Sequence, residues 1–223
     1  MKYSNIVSGS FVSRPNRFIA KVNIDGTEHT VHVKNTGRCK ELLVPGCTVF
    51  LEKSDNPNRK TIYDLVAVVK GHRIINMDSQ APNAVFARWV KDKCPDAVVK
   101  REKTYKDSRF DCYIETEKYK IFVEVKGVTL EEDNCVRFPD APTERGIKHI
   151  KGLVDAVQNG YRAAVFFVIQ MEDVLSFSPN YDTQPRFGQA LKEAQSAGVQ
   201  ILAYSCKVTV DSLEIDKPVP VIL

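Results

Sequence analysis

The sequence predicts an α+β protein of two domains, a small β-barrel followed by an α/β domain. Three observations carry this. Short alternating strand patterns fill the first 80 residues, a Pro-containing break falls at 78–83, and helical and strand patterns interleave beyond it. A chain of 223 residues can divide this way and still bury a core in each part without disulfides.

The first domain, 1–80, rests on a hairpin. Residues 18–24 and 27–34 alternate around Asp25-Gly26, a strong signal for a two-residue turn. Such a turn sets Phe18 opposite Val33, Ala20 opposite Val31 and Val22 opposite His29, which gathers one apolar face. His29 and His32 read as strand residues, not metal ligands. Further strands are expected at 47–52, after Pro45-Gly46, at 61–69 and at 73–77. Five short strands in this length suggest a barrel of the OB type, and an SH3-like barrel would read much the same.

The second domain is expected at 83–206. Asn83 is read as the cap of a helix running to about 93, burying Val85, Phe86 and Trp89 or Val90. Strands follow at 98–105, 109–116 and 120–126. A helix at 143–158 carries Ile147, Ile150, Val154 and Val157 on one stripe. Strand 162–170, a helix at 184–197 ended by Gly198, and strand 199–206 complete the order αβββαβαβ. Residues 207–223 add one or two strands whose domain stays open.

Composition excludes several classes. Hydrophobic residues make up 43% and charged residues 27%, ordinary for a globular chain. The longest apolar run, 163–169, is far short of a membrane span, and no signal-peptide pattern is present. A cytoplasmic location is the expectation. The six cysteines lack C-x-x-C spacing, so reduced packing residues are expected and a zinc site is not. Charge is uneven: residues 1–111 hold 20 Lys+Arg against 12 Asp+Glu, and residues 112–223 hold 12 against 16. A basic half and an acidic half suit a polyanion partner and a cation site.

Strands 109–116 and 120–126, turning at Glu117-Lys118, set Asp111 opposite Glu124, with Lys126 on the same face two residues on. Opposed carboxylates repel, so they call for a cation. Two carboxylates and an amine can hold Mg²⁺ or Mn²⁺ and position water for attack on phosphate. Glu-x-Lys alone is what any solvated strand face looks like; the opposed Asp111 is what lifts it.

That order of elements, with Asp, a gap and Glu-x-Lys, resembles the PD-(D/E)XK nuclease superfamily. More narrowly, the chain resembles the sugar fermentation stimulation protein family. The strings that carry this are Arg14-Pro15-Asn16-Arg17-Phe18, Asn35-Thr36-Gly37-Arg38, Ser108-Arg109-Phe110-Asp111, Glu124-Val125-Lys126-Gly127-Val128-Thr129-Leu130 and 138–146, FPDAPTERG. The resemblance implies an OB-like first domain, a PD-(D/E)XK nuclease-like second domain and non-specific DNA binding. It also implies a regulatory link to sugar metabolism, notably maltose. Phe110 stands where the superfamily often has proline.

Further residues are candidates around this centre. Arg145 and Lys148, with His149, lie in the first turns of the 143–158 helix and suit phosphate. Asp140 and Glu144 are candidate additions to the metal site or helix caps, and Glu102 is a further carboxylate. In the barrel, Arg14, Arg17, Arg38, Arg59 and Lys60 could track a phosphate backbone. The reading is a DNA-binding protein, without sequence specificity and without membrane attachment, that carries a nuclease-like metal site built on Asp111, Glu124 and Lys126. The alternative is a non-catalytic DNA-binding transcriptional regulator that keeps the nuclease fold as scaffold. No helix-turn-helix pattern is visible. Oligomeric state is not legible.

Overall fold

The computed structural model describes residues 1–223. The Asp25-Gly26 turn forms with both residues at positive φ, 49° and 82°, which only such a dipeptide adopts readily. It joins β2 (Ile19–Ile24) to β3 (Thr27–Val33), and Ala20 pairs with Val31 and Val22 with His29 as the alternation requires. With β1 (Ile6–Asn16), β4 (Thr48–Lys53), β5 (Tyr63–Lys70) and β6 (Arg73–Asn76) the sheet runs β3-β2-β1-β4-β5-β6. A parallel β3–β5 pairing closes β1 to β5 into a five-stranded OB barrel.

The five strands expected from sequence are β2 to β6, so β1 is a correction. It pairs with both β2 and β4, yet only Phe11 along it is buried. Its place depends on backbone pairing and on Gly9, where a Cβ would lie 2.5 Å from the Val22 side chain. Neither leaves a hydrophobic pattern to read.

The second domain opens with α1 (Ala81–Lys93). Pro82 sits at its start, where no N–H is needed, and Gln80 is the cap residue. Asn83 therefore lies inside the first turn and does not cap it. The main sheet runs β15-β14-β12-β9-β8-β7, from β7 (Val98–Tyr105), β8 (Ser108–Glu115), β9 (Lys120–Val128), β12 (Arg162–Ile169), β14 (Gln200–Val208) and β15 (Leu213–Pro218). Strands β9, β12 and β14 are parallel; the outer pairs are antiparallel. The segment after residue 206 therefore belongs here, as β15.

Helix α1 covers one face of the sheet, where Val85, Phe86 and Val90 meet Val123, Val125 and Phe166. Helices α2 (Glu144–Gln158) and α3 (Pro185–Ser196) cover the other. Beside α3 and β9 a small sheet forms from β10 (Leu130–Glu132), β11 (Cys135–Phe138) and β13 (Ser176–Pro179), strands too short for periodicity to reveal. One contiguous core of 39 buried residues runs from the barrel interior to the α2 and α3 side, so the two domains share an interior.

Polar contacts reinforce that joint. Asp78, fully buried in the linker, accepts from Lys34 Nζ at 2.7 Å and from the Tyr3 hydroxyl at 3.3 Å. Gln170, at the end of β12, donates to Asn76 Oδ1 and to the Asp78 carbonyl. Residues 1–3 also cross to the second domain: Lys2 bridges Ser212, and Tyr3 N donates to the Asp211 carbonyl. The six cysteines are free, with Cys39, Cys112 and Cys206 buried. No helix is long and apolar enough to cross a membrane.

Candidate metal and nucleic-acid site

The β8–β9 hairpin sets the site. Thr116 and Tyr119 close a two-residue turn at 117–118, and Cys112 pairs with Val123, Tyr113 with Phe122 and Glu115 with Lys120. The ladder ends at Cys112–Val123, one step short of Asp111 and Glu124. The ladder stops there because the Asp111 side chain takes the place of a backbone partner. Its Oδ2 accepts from the Val125 N–H at 2.9 Å, and its Oδ1 accepts from Asn83 Nδ2 at 3.3 Å. Asn83 comes from the first turn of α1, so that helix reaches the site with an amide.

Glu124 is 1% exposed and points to the α2 side. Its Oε1 accepts from Lys126 Nζ at 2.5 Å and from His149 Nδ1 at 2.5 Å. His149 belongs to the buried stripe of α2, and Arg145 Nε faces its other nitrogen at 3.5 Å. That arrangement makes Nδ1 the protonated, donating nitrogen. Both donors converge on one oxygen; Glu124 Oε2 is buried and has no partner. The Asn83 Oδ1 is likewise buried and unpartnered.

An acceptor buried without a donor costs roughly 1–3 kcal/mol. Two such atoms beside Asp111 make a local excess of acceptors, which is the chemistry a cation satisfies. The acids respond in opposite senses. Burial, and then the charge of Glu124, pushes Asp111 above the usual carboxylate range. Burial would raise Glu124 too, but the hydrogen bond from His149 and the ammonium of Lys126 outweigh it and hold it below that range. No set of three or more His, Cys, Asp or Glu converges as metal ligands. Two carboxylates suit Mg²⁺ or Mn²⁺, ions that keep several waters and take substrate phosphates as further ligands.

The other candidate residues distribute elsewhere. Glu102 stands across from Asp111 on β7, but its side chain is exposed and lies 3.8 Å from Arg109. Asp140 accepts from the Arg38 N–H at 3.0 Å and crowds Gly37, joining the domains instead of the acidic pair. Glu144 accepts from Gln184 on the α3 side. None of the three joins Asp111 and Glu124.

The basic residues separate into committed and free. Arg14 donates to the carbonyls of Arg17, Asn35, Gly37 and Arg38, so its guanidinium holds the 35–38 loop and offers phosphate little. Arg59 makes a two-pronged pair with Asp64, at 2.8 and 2.6 Å. Arg17, over the Phe18 ring at 4.9 Å, and Arg38, Lys60, Arg145 and Lys148 are exposed. The 35–37 loop, Gly127, Thr129, Gln170 and the 137–143 segment also enclose a polar interdomain cleft of about 340 Å³.

From the sequence alone, His149 counts only among the cations of α2 and Asn83 only as a cap. A histidine on an apolar helical stripe was the available signal for the first; nothing local signalled the second.

Taken together, the molecule is a closed OB barrel fused to a mixed α/β domain that carries a centre of two carboxylates, Glu124 buried and Asp111 half-buried. The family of the SfsA N-terminal OB domain matches residues 12–77, and that of the sugar fermentation stimulation protein RE domain matches 80–212. The chain belongs to the sugar fermentation stimulation protein family. It is 56% identical to a homologue from Clostridium beijerinckii over the full length of both chains. It is 58% identical to one from Desulfitobacterium hafniense, covering 96% of this chain and 95% of that one. The solved structure of Pyrococcus furiosus SfsA in complex with Ca²⁺ superposes with a TM-score of 0.89 at 30% identity, covering 100% of this chain and 98% of that one.

Proposed function

We propose that this chain acts in the cytoplasm as a DNA-binding protein without sequence preference, and that it hydrolyses phosphodiester bonds at a divalent-metal site on Asp111 and Glu124. The observation that carries the reading is Glu124, a carboxylate buried to 1% exposure with one oxygen held by Lys126 and His149 and the other unpartnered. A divalent cation bound there would polarise a phosphoryl oxygen and lower the pKa of a bound water. Within the chain, Val125 N–H and Asn83 aim Asp111, and His149 fixes the rotamer of Glu124. Lys126, 22% exposed at its side chain, can present its ammonium to an attacking water or to charge gathering on the phosphate. The Ca²⁺ complex of the Pyrococcus furiosus relative supports a divalent site in this fold. A link to sugar metabolism rests on the name its relatives carry.

A second reading, a non-catalytic DNA-binding regulator, draws on one observation: the Lys126 ammonium is already held by Glu124 at 2.5 Å. Incubation of single- and double-stranded DNA with wild type, Asp111→Asn and Lys126→Ala, with Mg²⁺ or Mn²⁺, separates the two. Metal-dependent cleavage by wild type, lost by about 100-fold or more in Lys126→Ala while DNA binding persists, is expected for the nuclease. Equal inertness of all three with retained binding supports the regulator. Cleavage that survives both substitutions removes the site assignment.

A further inference from the structure

We infer that the free edge of the main sheet, strand β7, is a seat for a nucleic-acid backbone, with Lys100, Arg101 and Lys103 as its phosphate contacts. This rests on the DNA-binding reading above and deepens it. All three residues are exposed and none takes part in an ion pair, whereas Arg14 and Arg59 of the barrel are held by internal acceptors. The strand ends the sheet, so one side of its backbone is open as well.

The position is specific to the acidic centre. Arg101 pairs with Cys112 and Lys103 with Phe110, so the two cations flank the point facing Asp111. At that point Glu102 takes a φ of 55°, a left-handed conformation uncommon for a glutamate, and the pairing skips a step. The break changes which face the neighbours use. Lys100 lies across from Tyr113 and Lys103 across from Phe110, two rings that both contact Phe122 on the α2 side. Lys103 sits 5.9 Å from the centre of the Tyr113 ring. Lys100 and Lys103 thus share the sheet face from which Glu124 reaches His149, while Arg101 covers the other side, near Cys112. With strands spaced about 4.8 Å apart, β7 lies about 10 Å from β9, close enough for one strand of nucleic acid to touch both.

Lysines on an edge strand also guard against edge-to-edge association, and the test must separate the two roles. Binding is measured on unrelated single-stranded and duplex oligonucleotides across a salt series, for wild type, the triple variant Lys100→Gln/Arg101→Gln/Lys103→Gln, and the charge-keeping Lys100→Arg/Lys103→Arg. The triple variant should lose about tenfold or more in affinity at low salt, and its log–log salt slope should fall by about 2 to 3, near 0.7–0.9 per lost contact. The charge-keeping variant should match wild type. A matched triple variant at Arg17, Arg38 and Lys60 gauges the barrel's share. Unchanged affinity and slope in a folded β7 variant, or association of that variant as its only defect, would overturn the inference and leave DNA binding standing. Absence of binding by wild type would overturn both.

Discussion

Two charged clusters of the barrel and two of the α/β domain are built in opposite ways. In the barrel, Arg14 is held by four carbonyls and Arg59 and His32 converge on Asp64, so charge there closes loops and strands. In the second domain, buried acceptors on Asn83 and Glu124 lack donors, and the exposed Lys100, Arg101 and Lys103 form no ion pair. The contrast teaches that net charge per half is a poor guide to where a polyanion sits. What counts is which charges remain after the fold has used its own.

The largest effect on this contrast should come from Arg14→Ala. It removes several charge-assisted hydrogen bonds at once, and a loss of about 3 kcal/mol in unfolding free energy is expected, with the salt slope of DNA binding unchanged. Chemical denaturation and a salt titration check the two halves of that statement; a changed slope would return Arg14 to the phosphate surface.

Next comes His149→Ala, which should leave the barrel untouched and weaken Mn²⁺ binding by about 10- to 100-fold, the usual cost of losing a group that orients a ligand. His149→Asn keeps a donor near the Nδ1 position and should recover part of the affinity. Calorimetric titration with Mn²⁺ reads both, and equal affinity in all three proteins would show that Glu124 needs no such support.

Asp64 gives the barrel a pH signature. Burial opposes its ionisation, but the hydrogen bonds from Arg59 and His32 dominate and hold it below the usual carboxylate range. A group shifted down contributes stability above its unfolded pKa and loses it as pH falls through the folded one. Asp64→Asn should therefore cost about 1.5–3 kcal/mol near neutrality, and the gap from wild type should close in acid below the ordinary range. Melting curves against pH decide it.

The smallest effect has the opposite sign. Asp111 is shifted up, so its ionisation destabilises the fold, fully above the folded pKa and not at all below the unfolded one. Without added metal, Asp111→Asn should raise stability by about 0.2–1 kcal/mol at neutral pH by removing an opposed like charge, and the gain should vanish in acid. Excess Mn²⁺ should reverse the ranking, because the variant has one anionic ligand fewer. A variant less stable than wild type without metal would mean that the aspartate serves the fold.

Much of this was legible in the residues, and the exceptions share a cause. The Asp25-Gly26 and 117–118 turns fix register locally, so the Ala20–Val31 pair and the Cys112–Val123 pair that precedes Asp111 and Glu124 can be counted from the sequence. Strand β1 could not, since its residues are mostly exposed and its place comes from pairing on both sides. Local rules favour Asn83 as a cap, but the helix starts earlier, at Ala81-Pro82, and the Asn83 amide meets Asp111. The partners of Arg14, Asp140 and Glu144 are set by folding across long stretches of chain, which no local pattern records.

The crossing of residues 1–3 to the second domain also sets a timetable. Lys2 waits for Ser212, and Leu213 donates its N–H to the Met1 carbonyl, so these contacts close only after some 210 further residues exist. At synthesis rates of about 5–20 residues per second, that delay is roughly 10–40 s. Through that interval the barrel can form its own ladder while its leading segment stays unattached. Strand β15 then does two jobs at once, completing its own sheet and pinning residues 1–3 to it.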